Sequence, residues 1–218
     1  LGPVYPLLAA QRDRIAAAGG RAAVVSLDVS APGTVGPAFD AAAAAMGGPI
    51  DVIVNNSGIA EPCAALEQTD EDWARVFAVN VDGARRVSVE GVRRLVAAGR
   101  PGAIVNVASI LGLRQGAGVT AYAASKAALI QMTKQHALEW ARHGVRVNAL
   151  APGYIETDLN RDFFAAAAGQ AMVRRVPMRR LGRALELDGA LLLLASEAGS
   201  FMTGSVIVAD GGHMLSPL

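Results

Sequence analysis

The chain has 218 residues, which suits one medium domain, and its 52% hydrophobic content is ample for a core although much of it is alanine. A formal net charge of +1 leaves no electrostatic footprint for nucleic acid or an anionic membrane, and no apolar run approaches the roughly 18 residues that cross a bilayer. Cys63 is the single cysteine and His136, His143 and His213 show no ligand spacing, so neither a disulfide nor a metal site is expected.

In chain order, short apolar runs alternate with helical segments. Residues 22–27 read as a strand ending at Asp28, and 34–46 as a helix stopped by Gly47, Gly48 and Pro49. Residues 50–54 are a second strand, followed by Asn55, Asn56, Ser57 and Gly58. Thr69 then caps one long helical region, with acids in its first turn, that runs to Ala98. Residues 103–107 form a third strand, and a loop leads to the helix carrying Tyr122 and Lys126. Residues 145–150 form a fourth strand that stops at Pro152 and Gly153. A mixed stretch over 155–182 reads as a helical lid, 185–195 as a buried helix, and 205–208 as a last strand. Repeated strand–helix alternation with continuous apolar strands predicts a single α/β domain, a doubly wound parallel sheet in three layers. The opening LGPVYPLL has no basic region or apolar stretch of a secretory signal, and the expected location is cytoplasmic.

A phenol and an ammonium four residues apart share one helix face, so Tyr122 and Lys126 can meet. A nearby cation favours the phenolate, which makes Tyr122 a candidate general acid/base for a hydroxyl proton. In parallel sheets ligands sit beyond the carboxyl ends of the strands. Asp28, the Asn55–Gly58 turn, Ser109 and the Pro152-Gly153 bend all fall there, although each singly also reads as ordinary turn chemistry.

Together, Asn55-Asn56-Ser57-Gly58, Asn80, Ser109, Tyr122-x-x-x-Lys126, Pro152-Gly153-Tyr154-Ile155-Glu156-Thr157 and Asp210-Gly211-Gly212 resemble the short-chain dehydrogenase/reductase family. The likeness is to its compact single-domain branch and runs from about Leu8 to Leu215. It implies a Rossmann-like fold and reversible hydride transfer between NAD or NADP and a secondary alcohol or ketone. By the same likeness Tyr122 exchanges the proton, and Lys126 lowers its pKa and holds the nicotinamide ribose. Ser109 hydrogen-bonds the substrate oxygen, and Asn80 holds a water that links Lys126 to solvent. Asp28 and Val29 contact adenine, and Asn55, Asn56, Ser57 and Gly58 pass beside the adenosine ribose. After Pro152 and Gly153, Ile155 and Thr157 fix the carboxamide end of the nicotinamide. Relatives usually assemble as tetramers, so a homotetramer is expected through 73–98, 121–142 and the C-terminal strand region, with Val87, Val92, Leu95 and Leu138 as candidate contacts or core residues.

The sequence departs from that pattern in its first part. No glycine-rich phosphate loop precedes Asp28, and the following strand, whose end normally chooses NAD or NADP, is also missing. A unit of roughly 30 to 45 residues would fill the gap, and an unobserved N-terminal region is the expectation. The alternative is a catalytically silent nucleotide-sensing or scaffold member of the fold. Residues 182–187, GRALEL, also lack the proline and acid that relatives use to start the next helix, and Ser57 replaces the usual Ala. The substrate pocket is expected among 61–66, 110–119 and the lid. There Arg114 and Gln115 are the polar candidates, Arg114 reading first as a solvated loop residue, and Leu111, Leu113, Phe163 and Phe164 the apolar ones.

Overall fold

Four of the five apolar runs read as strands pair in the folded chain. A computed structural model describes residues 5–158 and 160–216. Strands β1 (Val52–Asn55), β2 (Gly102–Val107), β3 (Val145–Pro152) and β4 (Val206–Ala209) are parallel and lie in the order β1-β2-β3-β4. Ile53 stands beside Ile104, Ile104 beside Val147, and Leu150 beside Ile207. Parallel neighbours require a crossover, supplied by helices α3 (Asp70–Phe77) with α4 (Ala84–Ala97), α5 (Thr120–Trp140), and α8 (Asp188–Ala195) after the lid. Consequently every strand delivers its carboxyl end to the same side of the sheet.

The period-two alternation of β2 divides its side chains between two cores. Ile104, with Ile53 and Val147, packs on Val35 and Phe39 of α2 (Pro32–Met46) and on Val87, Val92 and Leu95 of α4. Val105, with Leu150, packs on Leu194 of α8. Helices therefore cover both faces, and each fully buried side chain such as Ile104 or Leu95 contributes on the order of 2 kcal/mol of transfer free energy. Because Val87, Val92 and Leu95 face this core, Leu138 is the one candidate contact residue left on the surface, 76% exposed.

Residues 22–27 are the correction. They form no strand, because a strand exists only through its ladder and no described segment pairs with them. The free edge of β1 faces the same interval, where Val52 and Val54 are each 42% exposed. Leu27, Val29, Val54, Asn55, Asn56 and Ser57 line a small cleft of about 70 Å³ there. Helix α1 (Tyr5–Ala17) leaves Leu7, Leu8 and Ile15 exposed.

The long helix expected from Thr69 to Ala98 is interrupted. Thr69 does cap it, its hydroxyl accepting from the Asp72 amide at 3.1 Å. Between α3 and α4, however, one π-helical turn spans Ala78–Gly83. The lid holds two short helices, α6 (Arg161–Ala165) and α7 (Ala167–Val173). Beyond it, the helix start missing its proline is rebuilt by Glu186, which accepts from the Arg183 amide at 2.8 Å and pairs with Arg180 at 2.7 Å.

Candidate active site

Helical spacing places Tyr122 and Lys126 on the face of α5 turned toward the end of β2. The Lys126 ammonium donates to the Val107 carbonyl at 2.8 Å and lies 5.6 Å from the centre of the Tyr122 ring. Lys126 is only 4% exposed, and burial depresses its pKa to about 8. Ser109 begins a 3₁₀ turn, Ile110–Gly112, its hydroxyl accepting from the Leu111 amide at 3.1 Å. That turn rests on α5, so Ser109 comes within hydrogen-bonding reach of the Tyr122 phenol. Burial raises the Tyr122 pKa and the bond to Ser109 pulls it part of the way back. The expected lowering by Lys126 does not prevail in the unliganded chain, because desolvation penalises phenolate and ammonium alike.

Asn80 lies in the π-helical turn, a distortion that in helices often marks a functional position. Its Oδ1 accepts from the Ile59 amide at 2.8 Å, and its Nδ2 donates to the Ile59 carbonyl and the Ser125 hydroxyl at 2.9 Å each. The side chain is thus a latch that holds the segment after Gly58 against α5. Gly58 is needed for close approach: a Cβ there would lie 3.3 Å from Lys126 Nζ and 3.4 Å from Asn80 Oδ1.

The strand-end residues gather in two groups. Asp28 accepts from the Ser30 amide and hydroxyl at 2.9 and 2.6 Å, which holds its carboxyl below the usual range. Val29 stands across the small cleft from Asn55, Asn56 and Ser57. Asn55 is anchored by a polar chain unread in the sequence: it donates to Ser88 and to Asn106, and Asn106 donates to Thr133, all at 2.8 Å. At the other end, a Cβ on Gly153 would lie 2.7 Å from the Asp210 Cα, so the bend after Pro152 packs directly on the Asp210 turn. The Asn160 side chain accepts from the Thr157 amide at 2.9 Å and donates to the Ile155 carbonyl at 2.8 Å, setting that loop.

On the substrate side, the segment 61–66 contributes nothing to the cavity beside Ser109, and Phe163 is half exposed. Phe164 is buried against Tyr154, ring centres 5.5 Å apart. Arg114 is no solvated loop residue, since it donates to the carbonyl of His213. Tyr154, Arg175 and His213, none of them singled out for this role in the sequence, join it around one cavity. Only their separation along the chain hid them. Among the described residues no cluster of three or more His, Cys, Asp or Glu is placed to hold a metal, and no helix is long and apolar enough to cross a membrane.

Ser109, Tyr122 and the buried Lys126 thus gather beyond the end of β2 in an α/β parallel-sheet fold, the side on which such sheets take ligands. The family profile described as enoyl-(acyl carrier protein) reductase matches residues 7–214. The cis-4-hydroxycyclohexanecarboxylate dehydrogenase of Sinomonas cyclohexanicum is 41% identical over 197 residues, covering 90% of this chain and 78% of the relative. The galactitol 2-dehydrogenase (L-tagatose-forming) of Cereibacter sphaeroides is 41% identical over 211 residues, covering 92% and 83%. A crystal structure of a gluconate 5-dehydrogenase from Burkholderia cenocepacia J2315, in complex with NADP and tartrate, superposes with a TM-score of 0.89 at 35% identity, over 96% of this chain and 82% of that one. The chain belongs to the short-chain dehydrogenase/reductase family, as an NAD(P)-dependent oxidoreductase acting on CH–OH groups.

The residues present fit the nicotinamide half of such a cofactor. Lys126 makes one hydrogen bond to the protein, to Val107, and an ammonium has three donors to give. For the pyrophosphate the fit is incomplete: among the described residues no helix opens from a glycine-rich turn beside the free edge of β1.

Proposed function

We propose that this chain interconverts a secondary alcohol and a ketone, with Tyr122 as proton exchanger, Ser109 as the group that holds the substrate oxygen, and Lys126 and Asn80 as their support. The observation that carries this reading is Ser109 in hydrogen-bonding reach of Tyr122, with the buried Lys126 ammonium beside the same ring. In oxidation the alcohol O–H proton passes to the deprotonated Tyr122 oxygen while Ser109 donates to the substrate oxygen. A nicotinamide held by Lys126, Ile155 and Thr157 would supply the hydride acceptor for the carbinol carbon. Lys126, with a pKa of about 8, is poised to exchange a proton near neutral pH. Its remaining donors would hold the nicotinamide ribose, with Ile155 and Thr157 at the carboxamide. Asn55, Asn56, Ser57, Gly58, Asp28 and Val29 would run along the adenosine, and the free edge of β1 is where a phosphate-holding strand and loop would stand.

Three names among the relatives, a hydroxycyclohexanecarboxylate dehydrogenase, a galactitol dehydrogenase and a gluconate dehydrogenase, favour a polar, hydroxylated substrate. A cytoplasmic homotetramer is the setting we propose, with the exposed Leu138 on α5 as a contact. The test is Tyr122→Phe, which removes one oxygen from the site. Turnover should fall by about 10² to 10⁴, while the dissociation constant of the nicotinamide cofactor changes by less than about threefold, since the cofactor contacts remain. Near-normal turnover would refute the assignment.

A further inference from the structure

A cavity of about 390 Å³ opens beside Ser109, large enough for a small ligand. It lies on the same loop as the candidate site: Leu111 in its wall is two residues past Ser109, and its amide donates to the Ser109 hydroxyl. Its polar walls are unusual in charge. Arg114 comes from the loop after β2, Arg175 from just beyond α7, and the Tyr154 and His213 rings, 5.0 Å apart, close the side between them.

Neither arginine has a carboxylate partner among the described residues. Arg114 donates to the His213 carbonyl, and no hydrogen bond or ion pair engages the Arg175 guanidinium. Other arginines, Arg146 and Arg179 among them, also bond only backbone carbonyls; what distinguishes Arg114 and Arg175 is that both line one cavity. The His213 side chain is buried, with no partner for Nδ1. Burial and then Arg114 push the His213 pKa down, Asp210 opposes them, and Arg175 adds a smaller downward push. Asp210 itself is occupied, accepting from the Gly212 and Met214 amides at 2.8 and 2.6 Å. Arg114 and Arg175 bring two positive charges to the wall of one cavity that has no carboxylate among its lining residues, a setting that suits the anionic group of a ligand.

We propose that this cavity is a carboxylate subsite, in which Arg114 and Arg175 hold the acid group of a hydroxy-acid or keto-acid substrate while its alcohol or ketone reaches Ser109 and Tyr122. Arginine's planar fork matches a carboxylate in two parallel bonds, and it remains charged throughout the working pH range. The inference rests on the proposed dehydrogenase reading and adds the substrate class to it. It also assigns Arg114 a second duty, tying the C-terminal turn at His213 to the substrate loop.

The test measures binding separately from turnover. Calorimetric titration of the complete Tyr122→Phe protein, saturated with nicotinamide cofactor, would use two acids, cis-4-hydroxycyclohexanecarboxylate and gluconate, and the methyl ester of each. At least one acid should bind roughly tenfold or more tighter than its ester. Arg175→Met and Arg114→Met should each erase most of that preference, and Arg175→Lys should restore part of it. Arg175→Met is the decisive variant, because Arg175 supports no other group and the change should not disturb folding. Equal binding of acid and ester, no binding of either acid, or an unchanged preference in Arg175→Met overturns the subsite. If the acid preference holds but Tyr122→Phe still turns substrate over, the subsite stands and the proton-exchange assignment falls.

Discussion

Gly58 and Lys126 are in contact across the site: the position a Cβ would take on Gly58 is 3.3 Å from the Lys126 nitrogen. Gly58 is not among the glycines with positive φ, so conformation does not demand glycine here and the approach of the lysine does. Gly58→Ala is therefore expected to cost less than about 1 kcal/mol of stability, because a flexible lysine end can shift by a few tenths of an ångström. The same shift should lower kcat by roughly tenfold, since misplacement of a supporting group is felt at the reacting centre. Urea unfolding and steady-state kinetics on the same preparation check both halves.

Asn80→Ala removes the amide that satisfies both the N–H and C=O of Ile59. Two partly buried backbone groups would lose their partner, at a cost on the order of 1 to 2 kcal/mol. Asn80→Asp keeps an acceptor for the Ile59 amide and should cost less. If Asn80→Ala unfolds at the wild-type urea midpoint, the latch does not exist.

Lys126 makes stability depend on pH with a definite sign. Its folded pKa of about 8 lies below the ordinary 10.5, so between those values the unfolded chain binds the extra proton and stability rises with pH. Below pH 8 both states are protonated and the folded state bears the whole cost, on the order of 3 kcal/mol. In Lys126→Met this slope should vanish. The stability of the cofactor-free variant relative to wild type should fall by about that amount from pH 7.5 to 10.5. Parallel pH profiles for the two proteins would show that the lysine is not buried as described.

Gly112 sits on the backbone of α5, where an added Cβ would be 2.7 Å from the Lys126 carbonyl carbon and 2.9 Å from the Ala127 nitrogen. Backbone cannot move aside as a side-chain tip can, so Gly112→Ala should lift the 3₁₀ turn that begins at Ser109. We expect a loss of about 1 to 3 kcal/mol and a fall in kcat of roughly tenfold to a hundredfold. Gly189 in α8 is the control: nothing beyond its chain neighbours lies within 4 Å of its added Cβ, and no proline follows it. Gly189→Ala should stabilise the protein by about 0.5 to 1 kcal/mol with unchanged kinetics. Thermal melts and initial rates on both variants separate the two cases.

What the sequence by itself determined is the part governed by local periodicity. Four strands, the capped start at Thr69 and the shared face of Tyr122 and Lys126 follow from spacing along one element, and neighbours in sequence settle such features. Residues 22–27 look as much like a strand as β1 does, but a ladder needs a second segment, and composition cannot supply one. The tertiary structure also decided the π-helical turn at Asn80, since a bulge arises where Ile59 and Ser125 claim the side chain from outside the helix. It decided the direction of the Tyr122 pKa, because burial is a property of the packed chain. Above all it decided the cavity walls. Arg114 and His213 are 99 residues apart, and only the parallel sheet, which turns every strand end to one side, brings their loops together.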